Sequence, residues 1–131
     1  MYTLKHINIA HSDERRDLSI LFNGDFNAKQ IKLIKVKKDS ILGNHYHEYR
    51  EMFYILKGQA KYFLEDIDLD HIATTSFYDR EKELTLKQGD LLIIQPRIAH
   101  KAMFRKGTIT IEATESEYIS PEFNDKRYEV K

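Results

Sequence analysis

Apolar and polar positions alternate in short runs along most of the chain. Tyr2 to Ile9 carries Leu4, Ile7 and Ile9, and Leu18 to Phe22 and Lys29 to Val36 follow it. The charged stretch His11–Asp17 and the triplet Asn23-Gly24-Asp25 separate these runs as turns. Period-two patterning broken by Gly, Asn and Asp predicts strands rather than helices. Between Leu33 and Ile34 the phase slips, which predicts a bulge or burial on both faces. Glu51 to Leu56 and Gln59 to Leu64 flank Gly58 and are expected to form a hairpin. Met52, Tyr54 and Leu56 make the outward face of that hairpin apolar too, so a second sheet or a partner subunit should cover it. Asp66 to Arg80 breaks the rhythm with a polar stretch holding Ile72 and a Thr-Thr-Ser run, and reads as a hairpin extension or flap. Glu83 to Leu86, Leu91 to Ile94, His100 to Phe104 and Thr108 to Thr114 complete the strands. Such spacing belongs to an all-β sandwich or barrel.

A chain of 131 residues forms one domain. It divides into N-terminal strands over residues 1–28, a core over 29–114, and a polar tail over 115–131 that should run over the surface or onto a neighbour. Basic and acidic side chains number 21 each and are interspersed, so the basic stripe of a nucleic-acid binder is missing. With no cysteine there is no disulfide framework, thiolate metal site or cysteine nucleophile. No apolar run reaches the length of a membrane span, so no membrane partner is expected. The opening Met-Tyr-Thr-Leu-Lys-His lacks the plan of a signal peptide, which makes the cytoplasm the expected location.

Chemistry concentrates in Gly43-Asn44-His45-Tyr46-His47-Glu48-Tyr49-Arg50-Glu51 and in the distant Gly89 to His100. On a strand, His45, His47 and Glu51 share one parity and point the same way, together with Phe53 and Ile55. Leaving two imidazoles and a carboxylate unpaired in an apolar interior costs on the order of several kcal/mol. A divalent ion removes that cost, with His100 supplying a fourth ligand from a neighbouring strand. His6, His11 and His71 have no partners at such spacing and read as surface residues.

The first stretch resembles cupin motif 1, G-x5-H-x-H-x3-E-x6-G, at His45, His47, Glu51 and Gly58, with Asp39 in place of the first glycine. The second resembles motif 2, G-x5-P-x-G-x2-H-x3-N, at Gly89 and His100. There Gln95 replaces the proline, with Pro96 beside it, Arg97 the glycine and Phe104 the asparagine. The resemblance implies a double-stranded β-helix, or jelly-roll barrel, with a divalent ion (Zn, Ni, Mn or Fe) on His45, His47, Glu51 and His100. Cupins commonly protect their strand edges by dimerising, so a homodimer is expected.

Gly43-Asn44-His45-Tyr46-His47 is further similar to the R-G-N-H-Y-H segment of cupins acting on nucleotide-linked sugars, with Leu42 where their arginine stands. Asp13 to Leu18 resembles their D-x-R-G-x-L entry strand, with Arg16 in place of glycine, and Tyr118-Ile119-Ser120-Pro121 resembles their tail. In that family arginines near the barrel mouth engage the diphosphate, so the resemblance implies such a role for Arg15. Phe104, sharing the strand parity of His100, is expected beside the metal, where its ring packs against a sugar or base. Three functions stay open: an isomerase or epimerase of a keto sugar nucleotide, a non-haem metal oxygenase, and a non-catalytic small-molecule- or metal-binding cupin. A mouth that binds diphosphate favours the first; a dry aromatic pocket favours the second.

Overall fold

The computed structural model describes residues 1–69 and 80–131, and most of the expected Asp66–Arg80 flap lies outside the described residues. In chain order the elements are β1 Tyr2–His6, β2 Ile9–Ser12, β3 Asp17–Ser19, β4 Gln30–Lys35, β5 Ser40–Tyr46, β6 Glu51–Lys57, β7 Gln59–Asp66, β8 Glu81–Lys87, β9 Asp90–Ile94, β10 Ile98–Phe104, β11 Ile109–Thr114, the single turn α1 Pro121–Asn124, and β12 Lys126–Arg127. One five-stranded sheet runs β1-β9-β6-β11-β4 and the other β12-β5-β10-β7-β8, and β2 pairs with β3 in a separate hairpin. Every pairing is antiparallel.

The all-β class is as expected, but the barrel is not. Both sheets are open, ending at β1 and β4 in one and at β12 and β8 in the other. No pairing among the described strands joins one sheet to the other. A cavity lies between them, lined by Gln30, Lys32 and Ile34 of β4 and by Leu42 and Gly43 of β5. The two large sheets face each other over Phe53 and Ile55 from one side and Tyr62, Leu64, Ala102 and Phe104 from the other.

The expected hairpin about Gly58 is absent. β6 pairs with β9 and β11, whereas β7 pairs with β8 and β10. One residue cannot form even a two-residue hairpin loop, so Gly58 instead swings the chain from one sheet to the other. Its φ is +89°, and a Cβ there would stand 2.9 Å from Thr108 Cα. At Met52 and Tyr54 the apolar outward face of β6 is covered by the chain's own residues 21–28, whereas Leu56 stays exposed. Phe26 joins Met52, Leu91, Ile93 and Ala113 in a second core, with Leu21, Phe22 and Tyr54 against it.

Arg50 fastens that covering loop to the sandwich. Its guanidinium lies 5.3 Å from the centre of the Phe26 ring. It donates to Asp25 O at 2.9 Å and, through two nitrogens, to both oxygens of Glu115 at 2.6 and 2.8 Å. Glu115 also accepts from Asn27 N at 2.8 Å. The bonds from Arg50 hold the Glu115 carboxyl below its usual range, with the Asn27 amide helping. A depressed carboxylate contributes stability above its unfolded value of about 4.3 and loses it as pH falls through the folded value. Glu115→Gln is therefore expected to cost about 1 kcal/mol at pH 7. Thermal unfolding of the two proteins between pH 7 and 3 checks this: the gap should close below about pH 4.

Candidate metal centre

His45, His47 and Glu51 do not sit on one continuous strand. β5 ends at Tyr46, residues 47–50 cross between the sheets, and Glu51 opens β6. Shared parity on a single strand is thus the wrong reason for a correct grouping. The crossing itself turns His45 inward from one sheet and Glu51 inward from the other. His100, on β10, lies directly across from His45 in the β5–β10 register, where a bulge follows it.

Two residues of unusual backbone make this approach possible. Gly43 has φ +104°, and a Cβ there would fall 2.7 Å from the main-chain oxygen of His100. Only glycine lets β5 come so close at that point. Arg97 stands where the resemblance expects glycine, yet it keeps the left-handed conformation, with φ +64°. Its amide donates to His47 O at 2.8 Å. Its side chain donates to both oxygens of Asp68 at 2.8 and 2.9 Å and to Glu48 at 2.9 Å. Those bonds offset the steric cost of a side chain in this region.

The four donor atoms lie within 4.8 Å of one another. His45 Nε2 is 3.1 Å from His100 Nε2, and Glu51 Oε1 is 3.1 Å from His47 Nε2 and 3.2 Å from His100 Nε2. Ligand bonds of about 2.1 Å at right angles place neighbouring donors about 3.0 Å apart, so these contacts match the edges of one coordination sphere.

Protons make the fit more specific. His47 Nδ1 faces Asn124 O at 2.7 Å and His100 Nδ1 faces Ile98 O at 3.2 Å. A carbonyl oxygen only accepts, so each Nδ1 carries the hydrogen, and a neutral ring then presents a bare Nε2 lone pair. Both lone pairs point at a Glu51 oxygen that also only accepts. Either a proton or a metal ion must stand between them. Burial works to lower the His47 pKa, but its bond to Glu51 and that carboxylate's charge outweigh burial, and the net shift is upward. Burial works to raise Glu51, but the bonds to His100 and His47 hold it far below the usual carboxylate range. His45 goes the other way. Burial, with repulsion from His100 and His47, pushes it down to about 3, so it stays a neutral donor. The set fits a divalent ion of the kind imidazole and carboxylate take.

The cluster lies against a cavity of about 220 Å³. Phe53, Ala102 and Phe104 form an apolar part of its wall. Arg15 is not among the lining residues. It sits on the turn between β2 and β3, its side chain 77% exposed and bonded to Asp13. Lys32 is the one cation among the described lining residues.

Glu112 was not singled out from the sequence. It lines the cavity from β11, nearly buried, with Lys32 Nζ 3.8 Å from its carboxylate. Burial, reinforced by the charge of Glu51, pushes its pKa up to about 7. Its neighbours explain why it went unnoticed. Thr110, Glu112 and Thr114 are buried on the inner face while Ile109 and Ile111 face outward, the reverse of an ordinary sandwich strand.

The sequence profile of the cupin domain matches residues 32–112, which reach from β4 into β11 and contain all four side chains of the cluster. The chain belongs to the cupin family. No curated protein matches it. Among solved structures, this cupin is similar to the TDP-fucose-3,4-ketoisomerase WlaRA of Campylobacter jejuni, at 21% identity and a TM-score of 0.72, covering 93% of this chain and 86% of that one. It is also similar to a double mutant of the 3,4-ketoisomerase QdtA of Thermoanaerobacterium thermosaccharolyticum in complex with TDP, at 23% identity and a TM-score of 0.73, covering 96% and 86%. A third similar structure is ChmJ, a 3'-monoepimerase of Streptomyces bikiniensis in complex with dTDP-quinovose, at 14% identity and a TM-score of 0.75, covering 93% and 67%. At these identities the likeness speaks for the shared fold. No helix among the described residues is long and apolar enough to cross a membrane.

Elemental analysis of protein purified without chelator, followed by titration with Ni²⁺ and Zn²⁺, should find one ion per chain. His100→Ala should weaken binding by roughly two orders of magnitude or more, whereas His11→Ala should leave it unchanged. Protons compete with the ion for the imidazoles, so affinity should fall as pH drops through the ordinary imidazole value of about 6.5. Equal effects of the two substitutions would refute the ligand assignment.

Proposed function

We propose that this cupin holds a divalent ion (Zn, Ni, Mn or Fe) on His45, His47, Glu51 and His100 and isomerises or epimerises a keto sugar carried on a nucleoside diphosphate. The observation that carries this reading is the inverted polarity of β4 and β11. Gln30, Lys32, Glu112 and Thr114 line the cavity, while Ile31 and Leu33 are 66% and 59% exposed outside. A polar wall beside a buried ligand cluster suits a hydroxyl-rich substrate, and the rings of Phe53 and Phe104 suit the apolar face of a sugar. An aromatic substrate of an oxygenase has no use for that polar wall. The neighbours in fold, two of them ketoisomerases and one an epimerase, support the same reading.

A divalent ion in the cluster would act as a Lewis acid on the oxygen of a carbonyl or enolate. The chain itself supplies the proton traffic. Glu112, its pKa pushed up to about 7, stands on the wall formed by β11 and can take or give a proton near neutral pH. Such a group suits removal of a proton beside a carbonyl and its return at the same or the adjacent carbon.

The same inverted edge supports a homodimer. Ile31, Leu33 and Ile111 form an apolar outer strip next to the unpaired edge of β4, a surface that invites pairing with a second copy. Arg15, which does not line the cavity of its own chain, is proposed to meet the diphosphate from the exposed β2–β3 turn once two copies assemble. A cytoplasmic location belongs to the same proposal.

Thermal unfolding with millimolar dTDP- or UDP-linked sugars tests the substrate class. A ligand that binds only the folded state raises the melting temperature by mass action, by several degrees at a hundredfold excess over Kd. The nucleotide without its sugar should raise it less, and Arg15→Ala should reduce both shifts. Absence of any shift would move the assignment to the oxygenase or to a non-catalytic binding protein.

A further inference from the structure

Residues 117–128 are more than a surface tail, and the reason lies in one buried side chain. Asn124, 2% exposed, makes four hydrogen bonds with its amide. Its oxygen accepts from Ile119 N at 2.7 Å and Ser120 N at 3.1 Å. Its nitrogen donates to Tyr49 OH at 2.9 Å and Glu117 O at 3.0 Å. All four bonding positions of the amide are thereby used. They bend the segment around α1 and tie it to Tyr49, whose ring stacks on His47 at 5.0 Å and 22°. The main-chain oxygen of the same residue takes the Nδ1 hydrogen of His47. Beyond it, β12 joins β5 opposite His45 and Tyr46, and Tyr128 N and Val130 N bond to Asn44. Tyr118 and Asp125 of the same segment line the cavity.

We propose that Asn124 is a positioning residue for the site: its side chain folds residues 117–128 into a strap whose carbonyl fixes the ring orientation and tautomer of His47. The proposal rests on the reading of His47 as a metal ligand, but its geometric content does not require the ion. Glu122 and Phe123, on the same turn, are exposed, while Asp125 Oδ1 of the same segment lies 3.6 Å from His47 Nδ1, farther than the carbonyl. The hydrogen bond matters because a histidine ligand whose other nitrogen is unheld can flip its ring or carry its hydrogen at Nε2, the atom turned toward Glu51. The strap removes both alternatives.

The experiment compares wild type, Asn124→Ala, Asn124→Asp and, as a control on the exposed side of α1, Phe123→Ala. The tautomer of His47 is read by long-range ¹⁵N–¹H NMR on Zn²⁺-loaded protein, and its ring orientation by crystallography of the metal-free protein. Ni²⁺ affinity is read separately by titration calorimetry. Wild type and Phe123→Ala should show the Nδ1–H form. Asn124→Ala should shift to the Nε2–H form or a mixture and lose roughly 10- to 100-fold in Ni²⁺ affinity. Asn124→Asp keeps the acceptor for Ile119 N and Ser120 N but sets a carboxylate oxygen against Glu117 O, and should fall between Asn124→Ala and wild type. An Nε2–H form in wild type overturns the proposal whether or not any variant folds. Retention of both tautomer and affinity in Asn124→Ala overturns it as well. A wild-type protein that takes up no metal would defeat the metal reading, while the ring orientation of His47 in the metal-free crystal would still decide the role of Asn124.

Discussion

Lone pairs that converge on one point inside a protein repel each other, and the inner architecture of this domain is an answer to that repulsion. His47 and His100 each give their Nδ1 hydrogen to a main-chain oxygen, which leaves Nε2 bare and turned toward the Glu51 carboxylate. In water such an arrangement would relax by rotation. Here Glu51 is buried at the start of β6, paired with Thr114, and rotation would break its bonds to His47 and His100 without giving it water in exchange. A positive centre is what the arrangement lacks in itself. A proton shared with His47 supplies one at low pH and a divalent ion supplies one at any pH where the imidazoles are neutral. The two compete for the same place.

Bringing those groups together depends on where the chain changes sheets. Between His45 and Glu51 it leaves one sheet and enters the other, so ligands close in sequence approach from opposite walls. The crossing is held from outside. Arg97 N bonds to His47 O, and Arg50, just before Glu51, is tied to Glu115 and the loop at Asp25. Positive φ at Gly43, Asn44 and Arg97 marks the places where backbone geometry was bent to serve the cluster. Arginine at the last of these shows that charge pairing with Asp68 and Glu48 can do the work usually left to glycine.

The strands and the four members of the His/Glu cluster were legible in the sequence; which strand lies beside which was not. Alternation reveals which side chains share a face but carries no information about which strand lies beside which, so Glu51–Leu56 and Gln59–Leu64 read as a hairpin although they belong to different sheets. The ligand set emerged because histidine and glutamate at motif spacing are rare enough to be conspicuous. Asn124 was invisible for the opposite reason. It is one amide in a polar tail without periodicity, and only the folded chain shows all four of its bonding positions occupied.

Glu112 teaches a different lesson, because its pattern was visible and pointed the wrong way. In Ile109–Thr114 the apolar residues alternate with Thr110, Glu112 and Thr114, and ordinary reasoning turns the polar face to solvent. The structure turns it inward, as it does Gln30 and Lys32 on the adjoining strand. A sheet edge folded this way pays twice, once for polar groups inside and once for isoleucine and leucine outside. Both costs vanish under one pair of conditions. A polar ligand occupies the inside, and a second protein surface covers the outside. On the proposed function, the inverted edge ties sugar-nucleotide binding and self-association to the same two strands, and a substitution on β4 or β11 would be felt at both.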